Sequence, residues 1–96
     1  MDKNSLKTGM IVELRDGERY LVVNNAEITG ITWNIGVGQY TWIWLDDYND
    51  DLTEKNVKEL DIVKVFSPNR PCNVIPNYFK ELTDYLVIWK REDEEI

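Results

Sequence analysis

The chain is predicted to fold as a mostly β domain, a small antiparallel barrel of five or six strands with one or two short helical turns. Two observations predict this class. Apolar and polar residues alternate along several short stretches, which is typical of half-buried strands. Turn-forming residues separate these stretches at short intervals, and the 96 residues are enough for one hydrophobic core only.

The first predicted hairpin consists of strands at residues 10–15 and 18–24. Asp16-Gly17 lies between them and predicts a two-residue type I′ turn, which needs positive φ at both central positions. The return strand is rich in β-branched and aromatic residues and is predicted to end at Asn24-Asn25. The first strand is expected to place on one face Met10, Val12 and Leu14.

A second hairpin is predicted from strands at residues 26–33 and 40–45. The intervening residues 34–39 contain glycine at alternate positions, which favours a flexible loop. If Trp33 lies opposite Tyr40, the alternation of side chains determines both faces of this hairpin. One face is then expected to carry Ile31, Trp33, Tyr40, Trp42 and Trp44. The opposite face is expected to carry Thr32, Thr41, Ile43 and Leu45.

The second half of the chain is less regular. Residues 46–59 are polar and acidic, and one helical turn is expected between Thr53 and Lys58. Three apolar residues are expected to hold this turn against the core, namely Leu52, Val57 and Leu60. The elements expected after it are a strand at 61–66, a loop at 67–71, a short helix from Pro76 to about residue 83, and a last strand at 85–91.

These elements together favour an SH3-like barrel, which fits the length best, over an OB-fold, which usually contains a longer helix. Residues 1–91 are expected to form one domain. Residues 92–96 are expected to form an acidic C-terminal tail.

The residue types exclude several kinds of function. The chain has no histidine, which excludes Ser/His/Asp and Cys/His catalytic sites. Its one cysteine, Cys72, cannot form an internal disulfide and argues against a zinc site. Because 18 carboxylates face 11 basic side chains, direct binding to nucleic acid is not expected. Neither a cofactor nor a metal is expected.

The chain is expected to be cytoplasmic and to make no membrane contact. No stretch approaches the ~18 apolar residues that a membrane-spanning helix needs. The first residues also lack the apolar segment of a signal peptide.

Tyr40, Trp42 and Trp44 are the first candidate binding residues. Large aromatic side chains at alternate positions cover one face of a strand, where they could anchor a partner protein or stack on a base. The alternative is that they fill the core of a small barrel. Ile43 and Leu45 make the opposite face apolar as well, so the sequence leaves both interpretations open.

The second candidate set is acidic and consists of Asp46, Asp47, Asp50 and Asp51. Counted from Asp47, the spacing matches the first ligands of a calcium loop, but Leu52 stands where glycine is needed and Lys58 where glutamate is needed. A calcium site is therefore rejected. The carboxylates either steer a basic partner or form a solvated turn.

Five stretches of the chain carry a family resemblance. They are Leu6-Lys-Thr-Gly-Met10 continuing through Val12-Glu-Leu-Arg-Asp-Gly17, then Tyr20-Leu-Val-Val23, Leu45-Asp-Asp-Tyr-Asn-Asp-Asp-Leu52, Asp61-Ile-Val-Lys-Val65 and Ile88-Trp-Lys-Arg91. Together they resemble a group of small, SH3-like proteins of uncharacterised function that phages and prophages of Gram-positive bacteria encode. The resemblance implies a phage-type accessory protein in a bacterial host, and it brings no active site.

The function expected from these observations is that of a non-enzymatic, acidic binding protein. It would dock on a host protein, such as a nucleic-acid-handling or defence protein, and modulate or inhibit it. One alternative is an oligomeric sponge for a nucleotide-like molecule, in which phosphate would be bound by Arg15, Arg19, Arg70 or Arg91. Another alternative is a structural component of a phage particle. The oligomeric state stays open.

Overall fold

The computed structural model describes residues 1–68 and 85–91. The predicted helix at 76–83, the predicted acidic tail at 92–96, Cys72 and most of the predicted loop at 67–71 lie outside the described residues. The strands are β1 (Ile11–Leu14), β2 (Arg19–Ile28), β3 (Ile31–Val37), β4 (Trp42–Trp44), β5 (Ile62–Pro68) and β6 (Tyr85–Lys90). Three short 3-10 turns occur at Lys3–Ser5, Leu45–Asp47 and Lys58–Leu60.

The strands form one antiparallel sheet in the order β4-β3-β2-β1-β5-β6. The prediction of a mostly β, barrel-like domain with short helical turns is confirmed. Sequential strands from β1 to β4 pair with their neighbours, and β5 returns to pair with the free side of β1. Among the described residues, β4 and β6 are the two edges of the sheet.

The main core lies on one face of the sheet. Val12, Tyr20 and Val65 are paired across three neighbouring strands, which brings their side chains to the same face. The segment between β4 and β5 closes over this face. The buried residues of the main core are Leu6, Val12, Leu14, Tyr20, Val22, Leu45, Tyr48, Leu52, Ile62 and Val65.

The opposite face of the sheet, called here the second face, is also apolar. A single row of directly paired residues crosses all six strands on this face. In strand order the row is Trp42, Val37, Leu21, Ile11, Phe66 and Val87. The middle of the row is buried, since Ile11 and Phe66 form a second, smaller cluster.

The first predicted hairpin is confirmed, but its turn is of another type. Leu14 N–H donates to Glu18 O at 2.9 Å, so the loop has three residues rather than two. Among the residues of this loop only Gly17 has positive φ, at 92°. This is the usual conformation of a three-residue hairpin loop, in which the last residue is left-handed.

The type I′ turn lies instead at Thr29-Gly30, inside the stretch predicted as a single strand. Both residues have positive φ, 51° and 81°, and Ile28 pairs with Ile31 across them. β2 therefore continues past its predicted end at Asn24-Asn25. A β-bulge lets it do so, because Asn25 adopts φ 59° where the register with β3 shifts.

The predicted pairing of Trp33 with Tyr40 is wrong. Trp33 lies opposite Ala26 of β2, and in the β3–β4 pair Ile35 faces Trp44. β3 extends to Val37 through residues predicted as a flexible loop. The register is displaced by an even number of residues, so Ile31, Trp33, Trp42 and Trp44 still share one face.

The helical turn expected between Thr53 and Lys58 lies further along, at Lys58–Leu60. Leu52 is fully buried and Leu60 packs against the main core, as expected. Val57 does not, since it is 42% exposed.

Candidate functional site

Three tryptophans stack on the second face at the β4 edge. The ring centroids of Trp33 and Trp44 are 5.0 Å apart in an edge-to-face arrangement, and those of Trp42 and Trp44 are 4.9 Å apart. Trp33 and Trp44 are half-buried, whereas Trp42 is 44% exposed. We call this group the tryptophan stack.

The alternation of β4 places the stack away from the main core. Ile43 lies opposite Gly36 and packs against the main core, so Trp42 and Trp44 on either side of it point to the second face. Tyr40 does not continue this stripe, because it lies in the turn before β4 and is 89% exposed. Its predicted place on the strand face is therefore wrong, although it stays next to the stack along the chain.

A groove of about 200 Å³ runs beside β4. Its walls are mainly apolar, and two carboxylate residues lie among its lining residues. The lining residues are Trp42, Ile43, Trp44, Asp47, Tyr48, Glu54 and Leu60. The groove joins two of the aromatic residues predicted from the sequence to one of the predicted aspartates.

The four predicted aspartates have different environments. Asp46 is half-buried and accepts hydrogen bonds from the backbone N–H and the side-chain amide of Asn34, at 2.9 and 3.1 Å. Asp47 and Asp50 are exposed. Asp51 accepts hydrogen bonds from the hydroxyl and the backbone N–H of Thr53. These bonds, above all the one from the hydroxyl, lower the pKa of the Asp51 carboxyl group.

Asp46 therefore holds the turn after β4 in place, and only Asp47 of the four lines the groove. The structure separates one structural carboxylate from a set of three solvent-facing ones. Reasoning from the sequence could not make this distinction, because it depends on the position of Asn34 in the neighbouring strand.

Tyr48 is the most deeply buried of the residues that line the groove. Its hydroxyl donates a hydrogen bond to Leu60 O at 2.5 Å. Burial, followed by the nearby charge of Glu54, raises the pKa of the Tyr48 hydroxyl well above its usual value of 10. The fold therefore favours the neutral hydroxyl.

We expect Tyr48→Phe to lower the free energy of unfolding by about 1 kcal/mol near neutral pH, because the bond to Leu60 O is lost. The stability that the raised pKa contributes is fully present below the unfolded-state pKa of about 10. It is lost as the pH rises from there towards the folded-state pKa. Urea unfolding at pH 8 and above pH 10 should therefore show a shallower alkaline loss in the variant.

Tyr40→Phe is the matched control for this experiment, since the Tyr40 ring is exposed, and it should change neither quantity. An alkaline loss as steep in Tyr48→Phe as in the unchanged chain would contradict the assignment. Burial also raises the pKa of Tyr20, so part of the alkaline loss should persist.

A polar cleft of about 410 Å³, which Asp46 lines, was not predicted from the sequence. Four asparagines and two lysines are among its lining residues. Lys3 Nζ donates to Tyr48 O at 2.9 Å, and the side-chain amide of Asn24 donates to Leu6 O at 2.9 Å. These bonds hold the N-terminal segment against the sheet, so the cleft is a structural seam. Its sequence signal is the Asn-Asn pair at the bulge of β2.

The arginines that a phosphate-binding alternative would need are engaged in separate contacts. Arg15 and Arg19 form ion pairs with carboxylates of the fold, at 3.2 and 2.9 Å. Arg91 donates to backbone carbonyl groups and lies over the ring of Trp89. Arg70 lies outside the described residues.

Within residues 1–68 and 85–91, no group of three or more cysteine or acidic side chains could hold a metal ion. In the same part of the chain, no helix is long and apolar enough to span a membrane. The chain matches no protein-family model, no curated protein and no solved structure.

Proposed function

We propose that this chain is a non-enzymatic, phage-type binding protein that docks on a basic host protein and modulates it. The contact surface is the tryptophan stack together with Tyr40. The acidic bend that follows β4, formed by Asp47, Asp50 and Asp51, steers the partner towards that surface.

The observation that carries the proposal is the exposure of Trp42 within the stack and of Tyr40, which lies two residues before it in the chain. The main core is filled by other side chains, so these rings are not needed to close it. Tryptophan and tyrosine are enriched among the residues that dominate the energy of protein–protein contacts. Ile31, 55% exposed on the same face, extends the apolar surface.

The charge of the chain supports a basic partner. Its net charge of −7 attracts positively charged surfaces at long range, and one of the three solvent-facing aspartates, Asp47, lines the groove together with Trp42 and Trp44. Charges at the rim of a contact chiefly increase the rate of association and make it sensitive to salt.

The test is an affinity capture from a lysate of a Gram-positive bacterium, with the unchanged chain and Trp42→Ala immobilised in parallel. We expect a basic protein to be retained at low salt, released as the salt approaches about 0.5 M, and retained far less by Trp42→Ala. A direct titration of that protein should then show affinity reduced at least about 30-fold, since an anchoring residue contributes about 2 kcal/mol or more.

Val57→Ala is the control, because it also removes an exposed apolar side chain but lies outside the stack. It should retain the partner as the unchanged chain does. Circular dichroism must show that both variants are folded. Equal retention by Trp42→Ala, or a partner that resists high salt, would contradict the proposal.

A further inference from the structure

The groove beside β4 combines aromatic residues with negative charge. Trp42, Ile43 and Trp44 are consecutive residues of the strand and all line the groove, so it follows the edge of β4 rather than one face of the sheet. Asp47 and Glu54 bring two carboxylates to it. No basic side chain is among its described lining residues. A cationic group that entered the groove would therefore meet aromatic residues and opposite charges without a competing cation from the described residues.

The size of the groove limits what it can hold. Sites for whole small-molecule ligands usually measure about 300–1,000 Å³. At about 200 Å³, the groove is suited to one long side chain. Ile43 and Leu60 provide apolar contact for the aliphatic part of such a side chain.

The two carboxylates are available to an incoming group. Asp47 is exposed, and no described residue forms a hydrogen bond or ion pair with its side chain. Glu54 uses one oxygen, Oε2, to accept the backbone N–H groups of Asn56 and Val57. Its backbone N–H donates to the buried carboxylate of Asp61 at 2.8 Å, which fixes the position of Glu54 beside the groove.

Among residues 1–68 and 85–91, β4 is an edge strand and no other strand covers the groove from that side. Gly38 N–H donates to Thr41 O at 2.8 Å, and hydrogen-bonded pairs alternate along an antiparallel ladder. The backbone groups of Ile43 therefore face β3, while those of Trp42 and Trp44 point outwards. A partner segment can approach this edge without displacing a described strand.

The chain itself already stacks an arginine on a tryptophan. The guanidinium carbon of Arg91 lies 5.1 Å from the ring centroid of Trp89. Trp89 belongs to β6, at the opposite end of the strand order from β4. Arginine suits the groove better than lysine, because its planar guanidinium group stacks on a ring and still donates to two carboxylates. A lysine ammonium group is more strongly hydrated and has no flat surface.

We propose that the groove binds the side chain of one arginine presented by the partner protein. The guanidinium group lies against Trp42 or Trp44 where they line the groove at the edge of β4, and it donates to the carboxylates of Asp47 and Glu54. The aliphatic stem contacts Ile43 and Leu60. This inference rests on the proposed function and names the side chain by which the partner is held.

The test is an NMR titration with the blocked peptide acetyl-Gly-Gly-Arg-Gly-Gly-amide. Matched peptides carry lysine or citrulline, which keeps the shape of arginine but removes its charge. The tryptophan indole N–H signals are assigned with Trp→Phe variants. We expect the arginine peptide to shift the signals of Trp42 and Trp44 and to leave that of Trp89 unchanged, with the citrulline peptide at least about tenfold weaker.

The test variant is Asp47→Asn and its matched control is Asp50→Asn, which removes an equal charge from the same bend but lies outside the groove. Asp47→Asn should weaken the arginine peptide about three- to tenfold, and Asp50→Asn by less than twofold. The lysine peptide should bind more weakly than the arginine peptide.

Three outcomes would overturn the inference: equal shifts with citrulline and arginine, equal effects of the two Asp→Asn variants, or no shifts up to about 10 mM peptide. These outcomes are separate from a failure of the proposed function. If the captured partner needs Trp42 but binds Asp47→Asn unchanged, the docking surface stands and the arginine site falls. If Trp42→Ala retains the partner, the docking surface falls.

Discussion

Replacing Leu52 with alanine is expected to lower the free energy of unfolding by about 2–5 kcal/mol, the largest effect of any single change considered. Leu52 is fully buried in the main core. Its backbone N–H donates to Asn49 O and its carbonyl accepts Ile62 N–H, at 2.9 and 3.0 Å. The backbone of Leu52 therefore holds the start of β5, and its side chain fills space in the main core.

The backbone conformation of Leu52 carries a cost of its own, which the buried side chain offsets. Its φ of 71° is left-handed, a conformation that costs a residue with a side chain roughly 1–2 kcal/mol. Burial of the side chain offsets that cost. Alanine keeps the unfavourable conformation and loses most of the burial, so nothing compensates for the change.

Urea unfolding of Leu52→Ala measures this effect, and Val57→Ala is the control. Both residues are predicted from the sequence to hold a helical turn against the core, but of the two only Leu52 is buried. We expect Val57→Ala to change stability by no more than about 0.5 kcal/mol. A loss below 1 kcal/mol in Leu52→Ala, or similar losses in both variants, would show that this packing is misassigned.

Gly38→Ala is expected to lower the free energy of unfolding by about 1–3 kcal/mol, the second largest effect. An added Cβ atom would lie 2.6 Å from Cε2 of Tyr20 and 2.9 Å from the backbone oxygen of Thr41. Tyr20 belongs to the main core and cannot turn away, and moving Thr41 would disturb the turn that carries Tyr40. The cost is therefore steric.

A double-mutant cycle with Tyr20→Leu isolates the contact. Tyr20→Leu should itself destabilise the chain, but adding Gly38→Ala to it should cost less than Gly38→Ala costs alone, by at least about 0.5 kcal/mol. Strictly additive losses would mean that the Tyr20 ring is not what requires glycine at residue 38.

The glycines at 36 and 38 show how one sequence feature can support a wrong explanation. Their alternation predicts a flexible loop. In the structure Gly36 is a buried residue of β3, and a Cβ atom there would lie 2.9 Å from Cγ1 of Ile43 and 3.0 Å from Cβ of Tyr20. Both glycines make room for packed side chains, one of which comes from a different hairpin. Local sequence carries no information about a neighbour that is distant along the chain.

The turn types observed in the structure also differ from those that the sequence predicts. Asp16-Gly17 predicts a type I′ turn but forms a three-residue loop, whereas Thr29-Gly30 forms the type I′ turn without the usual asparagine or aspartate. In both places the turn adapts to the pairing of its strands. Burial of one apolar face determines that pairing more strongly than turn propensity does.

Part of the candidate site was predictable, because it depends on the alternation of side chains along one strand and not on contacts between distant residues. Trp42 and Trp44 share a face because side chains alternate along any strand, whatever its partner. Tyr40 does not lie on that face because the strand begins after it. Trp33, expected on the same face, contacts Trp44 through the register of β3 with β4, in which Ile35 pairs with Trp44. The groove could not be predicted, because Glu54 and Leu60 reach β4 only when the bend between β4 and β5 folds back.

By itself, the sequence determined the mostly β class, the short turns, the alternation that gives each strand two faces, and the acidic charge. These properties depend on neighbouring residues or on composition alone. The tertiary structure decided the strand register, the separation of Asp46 from Asp47, and the groove between the tryptophan stack and two carboxylates. Each of these depends on the distance between residues far apart in the chain, which is established only when the whole core packs.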